Sequence, residues 1–90
     1  MKEKVIEQLF VWAVESLGGK TWKFASPGRP GVADRIACMP DGSTWFVEIK
    51  KPDGRLSALQ VKFGDDMVRL KQKYAVLWSK EDVMEWKRAF

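Results

Sequence analysis

Three charged residues lie in a segment where two short strands are predicted and apolar side chains would pack better. The segment GVADRIACMPDGSTWFVEIKK, residues 31–51, contains Asp34, Glu48 and Lys50. Such residues are almost never fully buried unless they are paired or form a site. They could form a solvated strand face with an ordinary ion pair. They could also hold a cation, and oxygen ligands favour Mg²⁺ or Mn²⁺.

The turn between the two predicted strands, 33–39 and 43–50, sets their register. Pro40 suits the first central position of a type I turn, and Gly42 suits the left-handed residue that follows it. These residues predict a three-residue connection. A two-residue loop would shift the register by one, but proline fits poorly in a turn that needs positive φ.

The register decides whether the charged residues meet. With the three-residue connection, Asp34 faces Glu48 directly, and Lys50 is the next residue on the same face. With a two-residue loop, Asp34 would face Ile49 instead. Facing carboxylates repel by up to ~1 kcal/mol, and a bound cation removes that penalty. The backbone carbonyl of Ile49 could be another ligand, while Lys50 could orient a water or neutralise a phosphate.

Hydrophobic periodicity and turn residues predict the elements around this hairpin. In chain order we expect a helix at 2–17, a strand at 20–25, the two hairpin strands, a helix from Ser57 to about Lys73, a strand at 74–79 and a helix at 80–90. Ser57 and Gln60 form a capping-box pattern at the start of the second helix. The order α-β-β-β-α-β-α predicts one domain over 1–90, of α/β class, with a mixed sheet flanked by helices.

Composition excludes several kinds of chemistry. The chain has no histidine and a single cysteine, which excludes histidine-based catalysis, thiolate metal clusters and an internal disulfide. Phosphate-binding glycine motifs are missing, so no nucleotide cofactor is expected. The net charge of +4 favours a polyanionic partner. No membrane span or signal peptide is found, and the lone cysteine fits a reducing compartment, so we expect a cytoplasmic location and no membrane partner.

Several of these segments together resemble the virus-type replication–repair nuclease (VRR-NUC) domain, a branch of the PD-(D/E)xK nuclease superfamily. The motif GVADRI precedes FVEIKKPDGRLSALQ, and the resemblance extends from Glu7 to the segment AVLWSKEDV. Ala33 departs from the family pattern, which usually has proline before the aspartate. The resemblance implies a restriction-endonuclease-like core and Mg²⁺- or Mn²⁺-dependent cleavage of DNA. The family members that the sequence resembles are free-standing phage or prophage proteins, which implies a role in a bacterial host cell.

Carried over position by position, the resemblance implies a catalytic set of Asp34, Glu48, Lys50 and Gln60. The first two would ligate the metal, and the lysine would orient the attacking water. Glu7 would complete the metal site, and Glu3, one turn earlier in the same helix, is the alternative. For Gln60 the capping box is a sufficient explanation, so its catalytic role stays open.

Basic residues near the predicted carboxylates could hold phosphates on either side of the cleavage point. The candidates are Lys23, Arg29, Arg35, Lys51 and Arg55. No recognition helix or zinc finger is found, so we expect structure-selective cutting of branched DNA, such as four-way junctions. The five tryptophans are expected in the core or at an interface, rather than stacked on bases.

The family resemblance also implies a homodimer, whose paired sites would match the twofold symmetry of a junction. Two other classes of function compete with a nuclease. The chain could be a non-catalytic nucleic-acid-binding module, or it could be a subunit of a larger nuclease complex. Metal-dependent cleavage that is lost on replacing Asp34 would separate the nuclease from both alternatives.

Overall fold

The computed structural model describes the whole chain, residues 1–90. Seven elements follow one another: α1 (Glu3–Ser16), β1 (Lys20–Lys23), β2 (Arg35–Cys38), β3 (Thr44–Ile49), α2 (Ala58–Arg69), β4 (Lys73–Leu77) and α3 (Lys80–Arg88). This order confirms the α/β class predicted from the sequence. None of the helices combines the length and the apolar character that crossing a membrane requires.

The four strands form one mixed sheet in the order β1-β2-β3-β4. β2 pairs antiparallel with both β1 and β3, and β4 runs parallel to β3 after the crossover through α2. Arg35 pairs with Val47, in the register predicted from the three-residue turn. The Met39 N–H donates to the Ser43 carbonyl over 2.9 Å, and Gly42 has the expected positive φ of 88°.

One face of the sheet carries the main hydrophobic core, under α1 and α3. Residues Ile6, Phe10, Ala13 and Val14 lie on one face of α1 because they recur at helical spacing. They pack with the buried side chains Ala37, Met39, Val47, Ile49, Leu77, Val83 and Trp86. Removal of this apolar surface from water is the dominant favourable contribution to folding. The core therefore determines which side chains of β2 and β3 face α1.

The other face carries α2 and a smaller aromatic cluster. The Phe63 ring lies 6.2 Å from Phe46 and 6.1 Å from Tyr74, measured between centroids, and Phe24 joins them. Gly64 is buried against Tyr74, and a β-carbon there would lie only 2.8 Å from the ring. The glycine therefore lets α2 approach β4 closely.

Helix α2 ends earlier than predicted. We expected it to continue to about Lys73, but it ends at Arg69. Lys71 adopts a left-handed conformation with φ of 59°, and the Gln72 N–H donates to the Met67 carbonyl over 2.9 Å. The residue that adopts this conformation after a helix is usually a glycine. Because it is a lysine here, the sequence does not indicate where the helix ends.

Candidate active site

Asp34 and Glu48 face each other where β2 and β3 come to an end, as the predicted register requires. Extending the observed pairing by one residue places them opposite each other. The ladder alternates from the Met39–Ser43 hydrogen bond, which makes this a non-hydrogen-bonded position, where side chains lie closest. Asp34 Oδ2 accepts the Ile49 backbone N–H over 2.7 Å. The Asp34 side chain thus accepts a hydrogen bond from the Ile49 N–H, which would pair with the backbone of β2 if that strand were longer.

Glu48 is a buried carboxylate whose hydrogen bonds are incomplete. It is 1% exposed, although it lies only two residues from the end of the predicted strand. Its Oε1 accepts a hydrogen bond from Gln60 Nε2 over 3.3 Å. Its Oε2 is buried and has no partner. A buried carboxylate oxygen without a partner destabilises the fold. A proton or a cation bound to Glu48 Oε2 would remove that cost.

The surroundings raise the pKa of Glu48 to about 8. Burial is the largest cause, followed by the hydrogen bond that a protonated Glu48 can donate to Asp34 and by the negative charge of that carboxylate. The Lys50 ammonium acts in the opposite direction, and the Glu3 carboxylate raises the pKa further. Without a cation, the Glu48 carboxyl is therefore expected to hold its proton at neutral pH.

Lys50 directly follows β3 and lies on the same face as the carboxylates, as predicted. Its backbone N–H donates to the Leu77 carbonyl over 3.0 Å, which ties this residue to β4. Its side chain is partly exposed, and its charge lowers the pKa of Glu48. Lys50 is thus fixed at its backbone beside the pair, and its side chain is partly open to solvent. This position suits an interaction with a bound phosphate or water.

Gln60 combines the two roles that the sequence left open. Its Oε1 accepts the Ser57 N–H over 2.8 Å, and its own N–H donates to Ser57 Oγ over 3.1 Å. The predicted capping box is therefore formed. The same side chain uses its Nε2 to reach Glu48. Gln60 connects the start of α2 to the buried carboxylate.

Glu7 lies on the opposite face of the sheet. Its Oε2 accepts a hydrogen bond from Arg35 Nη1 over 2.8 Å, and Lys23 Nζ lies 3.6 Å from the same oxygen. Arg35 also donates through Nε to Thr21 Oγ1 over 3.1 Å. The structure thus does not bring Glu7 to the facing carboxylates.

The placement of Arg35 corrects one sequence-based expectation. We expected this residue on a DNA-facing surface, but it is 9% exposed and its guanidinium is engaged by Glu7 and Thr21. The physical reason is strand alternation, because Arg35, like Ala37, points to the face that α1 covers. The sequence carried no local signal for this ion pair, since its partners are far apart along the chain.

The donor set fits a hard cation bound by two carboxylates. Of the two helix carboxylates left open by the sequence, Glu3 is the one whose charge acts on Glu48. No group of three or more Asp, Glu or Cys side chains is arranged to hold a metal. The Ile49 carbonyl points to the same side of β3 as the Ile49 N–H, which donates to Asp34. Two carboxylates, one carbonyl and waters would give an all-oxygen set, and the unpartnered Glu48 Oε2 offers a free ligand atom.

The remaining predicted DNA contacts lie at the surface. Lys23, Arg29, Lys51 and Arg55 are all exposed. Arg29 lines a cavity of about 260 Å³ between the loop before Asp34 and α2. Lys62 from α2 lines the same cavity, and it is a basic residue that the sequence analysis did not single out. Its helix position gave no signal that it would meet the loop.

Comparisons with known proteins agree with this fold and with the sequence resemblance. No protein-family model matches the sequence. A protein named "Putative nuclease p44", from Acyrthosiphon pisum secondary endosymbiont phage 1, is 36% identical over 81 residues, which cover 90% of this chain and 87% of that protein. A solved structure described as a VRR_NUC domain matches with a TM-score of 0.91 and 24% identity, over 98% of this chain and 96% of that one. The chain belongs to the virus-type replication–repair nuclease family and has its restriction-endonuclease-like fold.

Proposed function

We propose that the chain is a Mg²⁺- or Mn²⁺-dependent endonuclease that hydrolyses phosphodiester bonds in DNA. The observation that carries the proposal is the pairing of Asp34 with Glu48, in which one buried carboxylate oxygen has no partner. A purely structural role explains this arrangement poorly, because both repulsion and burial destabilise it. Membership in a nuclease family and the phage relative named as a nuclease support the same proposal.

The residues of the site divide the chemical work. Asp34, Glu48 and the Ile49 carbonyl would hold the cation, which would lower the pKa of an attacking water and stabilise charge on the phosphate. Lys50 orients that water and offsets the charge that develops on the phosphate. Gln60 holds the Glu48 carboxylate in place through its Nε2. Hydrolysis in this site needs no histidine.

Charge and surface support DNA as the substrate. The chain carries a net charge of +4, and the exposed residues Lys23, Arg29, Lys51 and Arg55 would contact phosphates around the cleavage point. The sequence contains no recognition helix or zinc finger, which favours recognition of DNA shape. We therefore propose branched DNA, such as a four-way junction, as the preferred substrate.

A homodimer would suit such a substrate. Val61 and Val68 of α2, and Leu70 directly after it, are exposed apolar residues on a domain of only 90 residues. Burial of such residues between two copies is a common way to stabilise a small domain. Twofold symmetry would then place two sites in the arrangement of a junction.

A cleavage assay tests the proposal. Duplex, flap and four-way-junction DNA are incubated at low salt with Mg²⁺, Mn²⁺ or EDTA, using the wild-type chain, Asp34→Ala and Lys50→Ala. Glu85→Gln and Lys80→Ala are matched controls, because both residues lie exposed on α3. We expect junction cleavage with either metal, its loss in EDTA and in the Asp34 variant, and wild-type cleavage in both controls.

The outcomes separate the nuclease from its alternatives. Salt-sensitive DNA binding without cleavage in either metal would identify a binding module, or a subunit that needs a partner. Cleavage that survives in Asp34→Ala, or in EDTA, would refute the assignment of the metal site. Equal cleavage of duplex and junction would retain the nuclease and remove the structure selectivity.

A further inference from the structure

Part of the α2 side of the sheet is open. Helix α2 packs against β4 and the aromatic cluster, whereas the β1 and β2 positions on this face have no helix over them. Trp22 is 53% exposed there, and its neighbour Cys38 is also exposed. The other aromatic side chains of this face pack against one another, but Trp22 makes no aromatic pair. A large aromatic surface is thus left in contact with solvent.

The open tryptophan lies beside the carboxylates. The Phe24 N–H donates to the Asp34 carbonyl over 2.8 Å, so Phe24, Asp34 and Glu48 form one row across the strands. Trp22 pairs with Ile36 in the next row on the same face. Rows on one face of a strand are separated by about 6.7 Å. An extended nucleotide next to the proposed cleavage point could therefore place its base on Trp22.

The charge around Trp22 complements a nucleic-acid strand. Lys20 shares its face of β1, is exposed, and forms no ion pair. Lys23 points to the opposite face, where its Nζ lies 3.6 Å from Glu7 Oε2, so Lys20 is the cation on this side of β1. Among the β1 and β2 residues of the open face, no acidic side chain other than Asp34 occurs. A phosphate would find a cation here, and no competing carboxylate beyond the site itself.

We propose that Trp22 is a stacking platform for one unpaired base of the DNA substrate, with Lys20 on an adjacent phosphate. This inference rests on the proposed function and deepens it, because it assigns a single-stranded nucleotide to the position beside the cleavage point. Aromatic side chains bind unpaired bases by stacking, whereas bases within a duplex are not accessible to them. Branched substrates, in which bases at the branch can be unpaired, are thereby preferred over continuous duplex.

Trp12 provides a matched control within the chain. It is 50% exposed, nearly as much as Trp22, but it lies on α1, on the other side of the sheet. The Lys87 ammonium lies 5.6 Å from the centre of its ring, so a cation already covers it. Trp12→Ala therefore removes an exposed tryptophan of similar exposure without touching the open face.

Equilibrium DNA binding tests the proposal without cleavage. Fluorescently labelled flap and continuous-duplex DNA are titrated by anisotropy in EDTA, using the wild-type chain, Trp22→Ala, Trp22→Phe and Trp12→Ala. We expect Trp22→Ala to weaken flap binding by roughly 5- to 150-fold, since each stacked base contributes about this much. Duplex binding should change little. Trp22→Phe should restore most of the affinity, and Trp12→Ala should bind as the wild type does.

A scan of abasic positions removes the dependence on any one variant. Removing the base that stacks on Trp22 should weaken flap binding by the wild-type chain at one position of the single-stranded segment. The same abasic DNA should cause no further loss in Trp22→Ala, because base and ring form one interaction. An equal loss in both proteins would overturn the proposal.

The remaining outcomes distinguish this inference from the proposed function. Metal-dependent cleavage with flap affinity unchanged in Trp22→Ala would leave the nuclease standing and refute the stacking platform. Position-specific loss of binding without any cleavage would retain the platform and refute the nuclease. If Trp22→Ala instead changes the sedimentation of the protein and leaves DNA affinity unchanged, the open face is a protein contact and the proposal is wrong.

Discussion

Two acidic clusters lie on opposite faces of the same pair of strands, and they are built in different ways. On the α1 face, Glu7 is matched by Arg35 and Lys23, and Arg35 is also held by Thr21. On the α2 face, Asp34 meets Glu48, whose second oxygen has no partner. The first cluster is satisfied within the protein, and the second is not.

The contrast shows which cluster the fold needs and which one it tolerates. A buried ion pair costs desolvation but is compensated by its own geometry, so removing either partner destabilises the protein. Facing carboxylates have no internal compensation, and the raised pKa of Glu48 reflects that cost. An arrangement that costs stability is expected where function requires it. The two clusters should therefore respond oppositely to substitution.

The largest effect should come from Glu48→Gln, which breaks the uncompensated cluster. An amide keeps the shape and can still donate a hydrogen bond to Asp34, but it is a poor cation ligand. We expect junction cleavage to fall to the level of an EDTA control while the protein stays folded. Cleavage rates and circular dichroism measure the two effects, and near-wild-type cleavage would contradict a metal role for this residue.

Lys50→Ala should follow. Removing a charge that acts on the phosphate in the transition state should lower the cleavage rate by about 10²–10³-fold. Its stability should stay close to that of the wild type, because the side chain is partly exposed. Single-turnover rates on junction DNA test this, with Lys80→Ala as the control. A change in DNA affinity alone would assign Lys50 to binding.

Glu7→Gln changes the cluster of Glu7, Arg35 and Lys23, and it should lower the stability of the fold. It leaves a buried guanidinium short of its partner, so we expect a loss of about 2–4 kcal/mol in the free energy of unfolding. Cleavage per folded molecule should remain close to the wild-type level. Urea unfolding measures the first quantity. A stable Glu7→Gln variant that has lost cleavage would move Glu7 into the active site.

The pH dependence of stability should distinguish the clusters further. Because the pKa of Glu48 is raised from 4.5 to about 8 in the folded protein, proton binding stabilises the fold fully below about pH 4.5. This contribution is lost as the pH rises toward 8. We therefore compare the free energy of unfolding of Glu48→Gln with that of the wild type, in EDTA, at pH 4.5 and at pH 8.5. The variant's free energy relative to the wild type should be higher at pH 8.5 by roughly 2–4 kcal/mol. Parallel curves for the two proteins would exclude a raised pKa of Glu48 in the folded protein.

Gln60→Ala should have the smallest effect, and it should combine both kinds. Loss of the Gln60 half of the capping box, its contact with the Ser57 N–H, should cost about 0.5–1 kcal/mol in unfolding free energy, because Ser57 still caps the helix. Loss of its contact with Glu48 should lower cleavage by about 10-fold, as for residues that orient a metal ligand. Gln60→Glu preserves the capping-box pattern but replaces the donor to Glu48 with a like charge, so it should lower cleavage without loss of the cap. An effect on stability without one on cleavage would leave Gln60 a cap.

The register of the hairpin could be predicted because Pro40 and Gly42 restrict the turn, and the turn then determines that Asp34 meets Glu48. The side of the sheet that α1 covers could not be predicted in the same way. Helix periodicity shows that α1 has an apolar face, but it does not show which strand face receives it. For that reason the ion pair between Glu7 and Arg35 was missed. The end of α2 was missed because Lys71 takes a conformation that sequences usually assign to glycine.

The roles of the site residues remain predictions, and direct measurement of cation binding tests the central one. Mn²⁺ is titrated calorimetrically into the DNA-free wild-type chain, Glu48→Gln and Glu7→Gln at pH 7.5, after circular dichroism has shown that each is folded. We expect the wild type and Glu7→Gln to bind the cation with release of protons, and Glu48→Gln to lose that binding. Equal Mn²⁺ binding by the wild type and Glu48→Gln would contradict a metal site between Asp34 and Glu48.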